Sequence, residues 1–290
     1  MSFLSKKRAK TLPSRLNENE ELLTIDIDDL TISYKKSGSG PPLVFFHGWI
    51  GHEDTFALCH EAFARHFTVY RPAWPGYGGS TRMPSNFTID DFVELGRKFM
   101  LKLGLKDVTL IGNCLGGNVA IELIQRYPEM IKKLILVEVH AYFPKYLLPL
   151  VIPGINWFIY ILVFRTSAIF NFINSFMPIQ QSDVKDDWPY VWEGFKRTPI
   201  RSALTYLKAI YRFSKVHEKL YVESFRLDKP VLYVEGGKTF GPVGAFSRLV
   251  RIHFKNLDIV SIPEGEHNPV CERPEIFNER VLGALGFEGS

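Results

Sequence analysis

The stretch Ile111-Gly112-Asn113-Cys114-Leu115-Gly116-Gly117 places a cysteine between glycines, where a short apolar run gives way to a helical pattern. Residues 108–111 predict a buried strand and residues 118–127 predict a helix. A G-x-C-x-G pattern at such a junction matches the nucleophile elbow G-x-S-x-G, with cysteine in the serine position. Small neighbours are needed because the nucleophile lies on a strained turn, and the N–H groups of the following helix favour a thiolate. A structural cysteine in a glycine-rich turn is the alternative interpretation.

The rest of the chain alternates short β-branched strands with helical patterns, which is typical of parallel βαβ units. Strands are predicted at residues 22–27, 30–35, 43–46, 68–71, 108–111, 134–137, 231–235 and 258–262. Helices are predicted at residues 54–66, 89–103 (with Thr88 as N-cap), 118–127, 243–254 and 274–285. The alternation stops between residues 140 and 227. We therefore predict a basic tail at 1–20, a doubly wound α/β core at 21–139 and 228–290, and a helical cap at 140–227.

Composition and charge narrow the possible classes of partner and compartment. A net charge of +4 over 290 residues is too weak to indicate nucleic acid as the main partner. Three cysteines leave one without a partner in any pairing scheme, which favours free thiols and a reducing compartment. The basic opening MSFLSKKRAK lacks a following apolar stretch, so we expect a cytoplasmic protein. Association of this basic run with an anionic membrane is the alternative.

Three further motifs accompany the cysteine. The strand at 43–46 ends in His47-Gly48-Trp49, from which a backbone N–H can join that of Leu115 in an oxyanion hole. The strand at 68–71 leads into the glycine loop RPAWPGYGGS at 71–80. The segment PEGEHNP at 263–269 places His267 just after the last predicted strand. A nucleophile that precedes its histidine fits the order required for an elbow nucleophile.

Together these motifs resemble the α/β-hydrolase superfamily, over roughly residues 22–139 and 228–287. The resemblance implies an eight-stranded, mostly parallel sheet with helices on both faces and a cap over the site. It further implies Cys114 as nucleophile, His267 as general base and an oxyanion hole at Trp49 and Leu115. It implies no metal and no organic cofactor. We expect His47 to shape its loop, and we assign five other histidines to the surface: His52, His60, His66, His217 and His253.

The acid of the expected triad departs from the common family pattern. That pattern is G-x-x-D after the strand at 231–235, but here Thr239 occupies the place of the acid. An uncharged residue cannot stabilise an imidazolium. Some members carry the acid at the end of the preceding core strand, where this chain has Glu138. Burying an isolated carboxylate at the end of a core strand costs free energy, which favours a partner for Glu138. We assign Glu138 as the triad acid, with Glu235 in reserve and a salt bridge from Glu138 to the cap as the alternative.

The cysteine also limits the chemistry that the resemblance implies. Dehalogenases and epoxide hydrolases of this fold use aspartate at the elbow and are disfavoured. Cysteine elbows occur in dienelactone hydrolases, polyhydroxyalkanoate synthases and some thioesterase domains, so we expect acyl transfer through an acyl-S-enzyme. The leading hypothesis is hydrolysis of hydrophobic esters or thioesters. The alternatives are an acyltransferase that delivers the acyl group to an amine, alcohol or thiol, and a ligand-binding protein without activity.

The cap region holds a concentration of apolar residues. Residues 147–164 read LLPLVIPGINWFIYILVF, without one charge. Prolines and a glycine interrupt this run, and both flanking strands belong to one sheet, so we predict no membrane span. An apolar cap core, an acyl channel and a membrane-surface helix remain open. We expect a hydrophobic acyl substrate, free or carrier-bound, contacting Trp157, Phe158, Trp188 and Trp192; the sequence does not indicate an oligomeric state.

Overall fold

The fold is built on one eight-stranded sheet. The computed structural model describes residues 20–140, 143–169, 172, 196–217, 228–239, 244–245 and 254–287. The strands are β1 Leu23–Ile27, β2 Leu30–Ser37, β3 Pro42–Phe46, β4 Thr68–Pro72, β5 Val108–Asn113, β6 Ile131–Val137, β7 Val231–Gly236 and β8 Leu257–Ile262. Their spatial order is β1-β2-β4-β3-β5-β6-β7-β8. The β1–β2 and β2–β4 pairs are antiparallel, whereas β4, β3, β5, β6, β7 and β8 run parallel to one another.

Seven α-helices are described around this sheet. They are α1 His60–Ala64, α2 Ile89–Lys102, α3 Leu115–Arg126, α4 Asn156–Phe164, α5 Ile200–His217, α6 Pro269–Glu272 and α7 Pro274–Ala284. Short 3₁₀ helices span Pro128–Met130 and Lys145–Val151. The α2 helix begins with the predicted cap, since Thr88 and Asp91 form a reciprocal capping box.

Alternation along the central strands creates a core on each face of the sheet. On β3, Val44 and Phe46 belong to the core that also contains Phe92 of α2, whereas Leu43 and Phe45 belong to the opposite core. Strands β5 and β6 alternate in the same way because successive side chains of a strand point to opposite faces. Helices α2 and α3 cover the first core, and α1 and α7 cover the second. The predicted mostly parallel sheet with helices on both faces is confirmed.

Several predicted bounds differ from the observed ones. The helix predicted at 54–66 is wrong over its first half, because residues 53–59 form turns in which Thr55 Oγ1 accepts from the backbone N–H of His52 at 2.9 Å. The α3 helix begins at Leu115, three residues before the predicted start, because Cys114 alone makes the turn. Most of the helix predicted at 243–254, and the tail at 1–19, lie outside the described residues.

The apolar run at 147–164 divides into the 3₁₀ helix Lys145–Val151 and the nine-residue helix α4. Together with α5, these elements lie between β6 and β7 in the chain, within the range predicted for the cap. Among the residues that the structure describes, no helix has both the length and the apolar character that crossing a membrane requires.

A buried ionic cluster at Arg71 of β4 corrects one prediction. The Arg71 side chain is fully buried and pairs with Glu20, which also lies 3.0 Å from His60 Nε2. Burial by itself raises the pKa of Glu20, but hydrogen bonds from His60 and Arg71 lower this pKa to about 2. His60 was assigned to the surface and is 2% exposed, because the charged partner makes its burial tolerable.

The contact between α3 and the sheet is too close for side chains at two glycines. A Cβ added to Gly112 would lie 2.6 Å from the Cα of Gly117. One added to Gly116 would lie 2.3 Å from the carbonyl oxygen of Phe46. Both obstacles are backbone atoms, so the strand–turn–helix unit depends on glycine at these two positions.

We expect the substitution Gly116→Ala to destabilise the protein by about 3 kcal/mol, because the new methyl group meets backbone that cannot move aside. Urea unfolding followed by circular dichroism measures the change. The matched control is Gly283→Ala in α7, where an added Cβ meets nothing within 4 Å and the free energy of unfolding should stay equal or rise by about 1 kcal/mol. Equal stability of the two variants would contradict the prediction.

Candidate active site

A single residue, Cys114, connects β5 to α3. Its backbone has φ 52° and ψ −124°, a conformation that L-residues rarely adopt. The strained backbone is held by two hydrogen bonds: Cys114 N–H donates to Val137 O at 2.8 Å, and Gly117 N–H donates to Cys114 O at 3.0 Å. Strain of this kind is concentrated at functional sites. The turn projects Sγ from the carboxyl edge of the sheet at the N-terminus of α3.

His267 lies beside the sulfur, in the loop between β8 and α6. Its Nε2 atom is 3.2 Å from Cys114 Sγ, within hydrogen-bonding distance for sulfur. The loop is held by one carboxylate, since the Glu272 side chain accepts from the N–H groups of Glu266 at 2.6 Å and Asn268 at 2.8 Å. A further hydrogen bond of 3.1 Å joins Asn113 Nδ2, next to the cysteine, to Asn268 Oδ1. The Glu272 carboxylate thus braces the His267 loop internally, and the Asn113–Asn268 hydrogen bond joins this loop to the cysteine turn.

Glu138 follows β6 and is fully buried, with a positive φ of 49°. Its Oε1 atom accepts a short hydrogen bond from the backbone N–H of Gly236. Its Oε2 atom lies 3.8 Å from His267 Nδ1, an ion-pair distance longer than a hydrogen bond. The carboxylate therefore faces the ring nitrogen opposite the one that faces the sulfur. The structure brings Cys114, His267 and Glu138 together in the predicted order.

The other positions weighed for the acid have different surroundings. Thr239 Oγ1 donates to the carbonyl of Glu266 at 3.3 Å, so this hydroxyl supports the loop that precedes His267. Glu235 is half-buried on β7, one residue before the Gly236 amide that binds Glu138. Of the three residues, Glu138 is the one for which a contact with His267 is resolved.

His140 is a second histidine at the sulfur, which sequence reasoning missed. Its Nδ1 atom lies 3.6 Å from Cys114 Sγ, and its ring stands edge-on to that of His267 with centroids 4.9 Å apart. The residue is 8% exposed, and its carbonyl accepts from Asn118 Nδ2 of α3 at 3.2 Å. One feature of the sequence could have identified His140. It lies two residues after Glu138, in the loop that follows β6, and β6 is the neighbour of β5 in the sheet. The sulfur and the two ring nitrogens lie within 4.8 Å of one another.

The surrounding charges favour an ionised sulfur. Burial by itself raises the pKa of the Cys114 thiol, but the positive charges of His267 and His140 and their hydrogen bonds to sulfur lower it to about 5. Burial by itself lowers the pKa of His267, but the Cys114 thiolate and the Glu138 carboxylate raise it well above its ordinary value. Near neutral pH the site therefore holds a thiolate and an imidazolium.

The loop after β3, residues 47–49, passes directly beside Cys114; this is the segment predicted to contribute to the oxyanion hole and is called the oxyanion loop below. A Cβ added to Gly48 would lie 2.8 Å from the Cβ of Cys114 and 3.4 Å from its Sγ. Leu115 is the first residue of α3, where backbone N–H groups have no acceptor within the helix. The Trp49 indole donates to Ala203 O of α5 at 3.0 Å, which joins the loop to the segment between β6 and β7.

His47 shapes this loop from within the core. Its Nδ1 atom lies 2.8 Å from Gly48 O, and its Nε2 atom accepts from the backbone N–H of Trp74 at 3.0 Å. Burial lowers the pKa of His47 to about 3, so the ring is neutral. A neutral ring with one donating and one accepting nitrogen fits both contacts.

The structure describes two of the four predicted substrate-binding residues. Trp157 and Phe158, on α4, are 58% and 61% exposed, and the structure records no contact between them and Cys114. The other large apolar residues exposed between residues 145 and 164 are Tyr146, Ile152, Ile155 and Leu162; these six residues are called the exposed apolar surface below. Trp188 and Trp192 lie outside the described residues.

Comparison with curated proteins gives partial matches. The chain is 30% identical over 106 residues to an uncharacterized protein from Mycobacterium tuberculosis. It is 32% identical over 114 residues to the pimeloyl-[acyl-carrier protein] methyl ester esterase of Nitrosospira multiformis. Each match covers 37% of this chain, and they cover 31% and 42% of the relatives, so the chain spans less than half the length of either one.

Comparison with solved structures covers almost the whole chain. A hydrolase from Pseudomonas aeruginosa PA01 superposes with a TM-score of 0.74 at 20% identity, over 92% of this chain and 98% of that one. The model of the α/β-hydrolase fold family matches residues 41–274, from the start of β3 into α7. The match includes the elbow, the oxyanion loop, Glu138 and His267, and it extends over most of the sequence. The chain therefore belongs to the α/β-hydrolase fold family.

Proposed function

We propose that the protein is a cysteine-dependent hydrolase that cleaves hydrophobic acyl esters or thioesters through an acyl-S-enzyme. The observation that carries the proposal is the 3.2 Å contact between Cys114 Sγ, on its positive-φ turn, and His267 Nε2. A nucleophile in hydrogen-bonding contact with a base, which in turn faces a carboxylate, is the arrangement that covalent catalysis requires. The lowered thiol pKa adds to this support, because the thiolate is the nucleophilic form.

Acylation starts from the thiolate and the imidazolium. Cys114 Sγ attacks the carbonyl carbon, a C–S bond forms, and the carbonyl π electrons move to oxygen. The backbone N–H groups of Trp49 and Leu115 are the proposed donors to this oxyanion. When the carbonyl reforms, the bond to the leaving oxygen or sulfur breaks, and His267 Nε2 donates its proton to the leaving group. The products are an S-acyl cysteine and a neutral His267.

Deacylation reverses the proton transfer. His267 Nε2 accepts a proton from water while the water oxygen attacks the thioester carbon. Collapse of the second tetrahedral species breaks the C–S bond, releases the carboxylic acid and returns Cys114 as a thiolate. Glu138 stays ionised throughout and orients the ring through Nδ1. His140, whose Nδ1 atom lies 3.6 Å from the sulfur, would stabilise the departing thiolate.

Acyl transfer to an amine, alcohol or thiol is the second candidate function. The observation that favours it is the sulfur itself, because a thioester intermediate reacts more readily with amines and thiols than an oxygen ester does. Every residue named for hydrolysis serves this reaction unchanged. The two reactions differ only in the group that accepts the acyl chain, which is water in hydrolysis and an amine, alcohol or thiol in transfer.

The exposed apolar surface of the 3₁₀ helix and α4 supports a hydrophobic substrate. Large apolar side chains exposed together mark sites of interaction with ligands, proteins or membranes. The substrate named for the Nitrosospira multiformis relative, a methyl ester of a pimeloyl group on acyl-carrier protein, suggests an acyl chain that is presented by a carrier. Contact of Trp157 and Phe158 with a membrane surface is the alternative role of these exposed side chains.

We expect acyl thioesters and esters to modify Cys114 covalently. Intact-protein mass spectrometry, after incubation with acyl groups of increasing chain length, should detect one added acyl mass. Cys114→Ala should abolish this adduct, whereas Cys59→Ala and Cys271→Ala, at the two buried free cysteines, should retain it. Glu138→Gln should slow formation and decay of the adduct about 100-fold or more, since a neutral amide no longer holds the imidazolium.

The decay of this adduct distinguishes the two candidate functions. Loss of the acyl group at the same rate with and without added amine or thiol identifies a hydrolase. Acceleration by an acceptor, with the acyl group recovered on it, identifies a transferase. A protein that acquires no acyl group from any member of the panel, yet binds a hydrophobic ligand tightly, contradicts both.

Alkylation of Cys114 should follow the lowered pKa of its thiol. The rate of modification by iodoacetamide should be constant above about pH 6 and fall about tenfold per pH unit below pH 5, because the thiolate alone reacts. The substitution His140→Asn removes a positive charge from the sulfur and should move the midpoint to higher pH. Cys59 serves as the internal control, since burial raises its pKa to about 12 and it should remain unmodified. If the alkylation rate of Cys114 has its pH midpoint near that of a free thiol, the ion pair between the Cys114 thiolate and the His267 imidazolium is contradicted.

Removal of the exposed aromatics should affect long acyl chains selectively. For Trp157→Ala combined with Phe158→Ala, we expect the KM for a dodecanoyl ester to rise about tenfold, which is the order expected for loss of one large apolar contact. The kcat/KM for an acetyl ester should stay within about twofold. The control is Leu101→Ala on α2, an apolar residue that is 52% exposed outside this surface. Equal losses on both esters would contradict a role in chain recognition.

A further inference from the structure

We propose that Cys114, His140 and His267 form a binding site for zinc, and that the bound ion blocks the nucleophile. One thiolate and two imidazoles are ligands that Zn²⁺ prefers, and three protein ligands with an open fourth position are typical of accessible zinc sites. No metal is expected from the sequence, in which the three residues are separated and form no visible ligand cluster. Only the fold brings their donor atoms together.

The distances between the donor atoms fit a tetrahedral ion. With Zn–S near 2.3 Å and Zn–N near 2.0–2.1 Å, a tetrahedral site places sulfur and nitrogen about 3.5 Å apart. Cys114 Sγ lies 3.2 Å from His267 Nε2 and 3.6 Å from His140 Nδ1, so both S–N edges are already near this value. The three donor atoms lie within 4.8 Å of one another, and a tetrahedral ion would bring the two nitrogens to about 3.3 Å, so one ring moves toward the other when the ion binds.

The surroundings supply the outer contacts that a zinc site needs. Histidine ligands commonly direct their second nitrogen to a carboxylate, and Glu138 Oε2 lies 3.8 Å from His267 Nδ1. The thiolate and this carboxylate together balance the two charges of the ion. Two of the three ligands have some exposure, since the His267 side chain is 29% exposed and Cys114 is partly exposed, whereas His140 is buried.

Occupancy by zinc is incompatible with the proposed reaction. The ion takes a lone pair of Sγ, which would otherwise attack the substrate, and the lone pair of Nε2, which would otherwise accept the proton from water. Binding and catalysis therefore compete for the same atoms. Zinc should act as a reversible inhibitor that a chelator removes.

Cobalt(II) provides a direct readout of binding that needs no substrate. We expect the full-length, chelator-treated protein to bind one Co²⁺, with a thiolate-to-cobalt absorption band in the near ultraviolet and tetrahedral d–d bands in the visible. Zinc should displace cobalt and abolish both. Cys114→Ala should lose the near-ultraviolet band, and Cys59→Ala and Cys271→Ala should keep it. His140→Ala and His140→Asn should each weaken binding at least tenfold, with circular dichroism confirming that both variants are folded.

The outcomes of this experiment are independent of the outcome for the proposed function. Absence of the thiolate band, its persistence in Cys114→Ala, or unchanged affinity in both folded His140 variants would overturn the metal site, whatever reaction the protein catalyses. Zinc should also prevent acylation or iodoacetamide alkylation of Cys114, and a chelator should restore it. Unimpeded modification of Cys114 in the zinc-loaded protein would overturn the blocking role.

Discussion

The site depends on the backbone of Cys114, where a single residue with φ 52° reverses the chain between β5 and α3. A conformation of this kind costs about 1–3 kcal/mol and persists only when its surroundings enforce it. Here the surroundings are the amide and carbonyl hydrogen bonds of Cys114 and the packing of α3 against the sheet without side chains at Gly112 and Gly116. The same turn brings Sγ to His267 at the carboxyl edge of the sheet. The strain of the turn and the position of the sulfur therefore have one cause.

The parallel sheet supplies the partners of this sulfur. Parallel neighbouring strands end at the same edge, so the loops that follow them meet there. The loop after β3 carries Trp49, the loop after β6 carries Glu138 and His140, and the loop after β8 carries His267. Hydrogen bonds between these loops, such as Gly236 N–H to Glu138, fix the relative positions of groups that are far apart in the chain. The rigidity of the site is a property of the sheet edge as a whole.

Sequence reasoning identified the features with a local signature. The short apolar, β-branched runs of β3, β5 and β6 predict the central strands, and the glycine spacing predicts the elbow at Cys114. The assignment of Glu138 needed one further step, the exclusion of an acid at Thr239, and the structure places its carboxylate beside His267. Trp188 and Trp192 stay predictions, since they lie outside the described residues.

The features that sequence reasoning missed depend on tertiary contacts. His140 has no motif of its own, and its separation of two residues from Glu138 does not reveal that its ring turns toward the sulfur. His60 resembles a surface histidine until the fold brings Glu20 to its Nε2 atom. The turn at 53–59 replaces the predicted half-helix because side chains such as Thr55 bond to nearby backbone N–H groups, an interaction that periodicity does not register.

The pair of histidines around one sulfur explains why the proposed reaction and the proposed metal site belong together. In the reaction, His267 transfers protons to and from oxygen or sulfur atoms of the substrate, and it is neutral while Cys114 is acylated. His140 keeps a second ring nitrogen at the sulfur at that moment, so the thiolate that leaves during deacylation retains a partner. A thiolate with two imidazole nitrogens beside it is also a ligand set for a borderline-soft divalent ion. The contact of His140 with the sulfur would therefore serve both the proposed reaction and the proposed metal site.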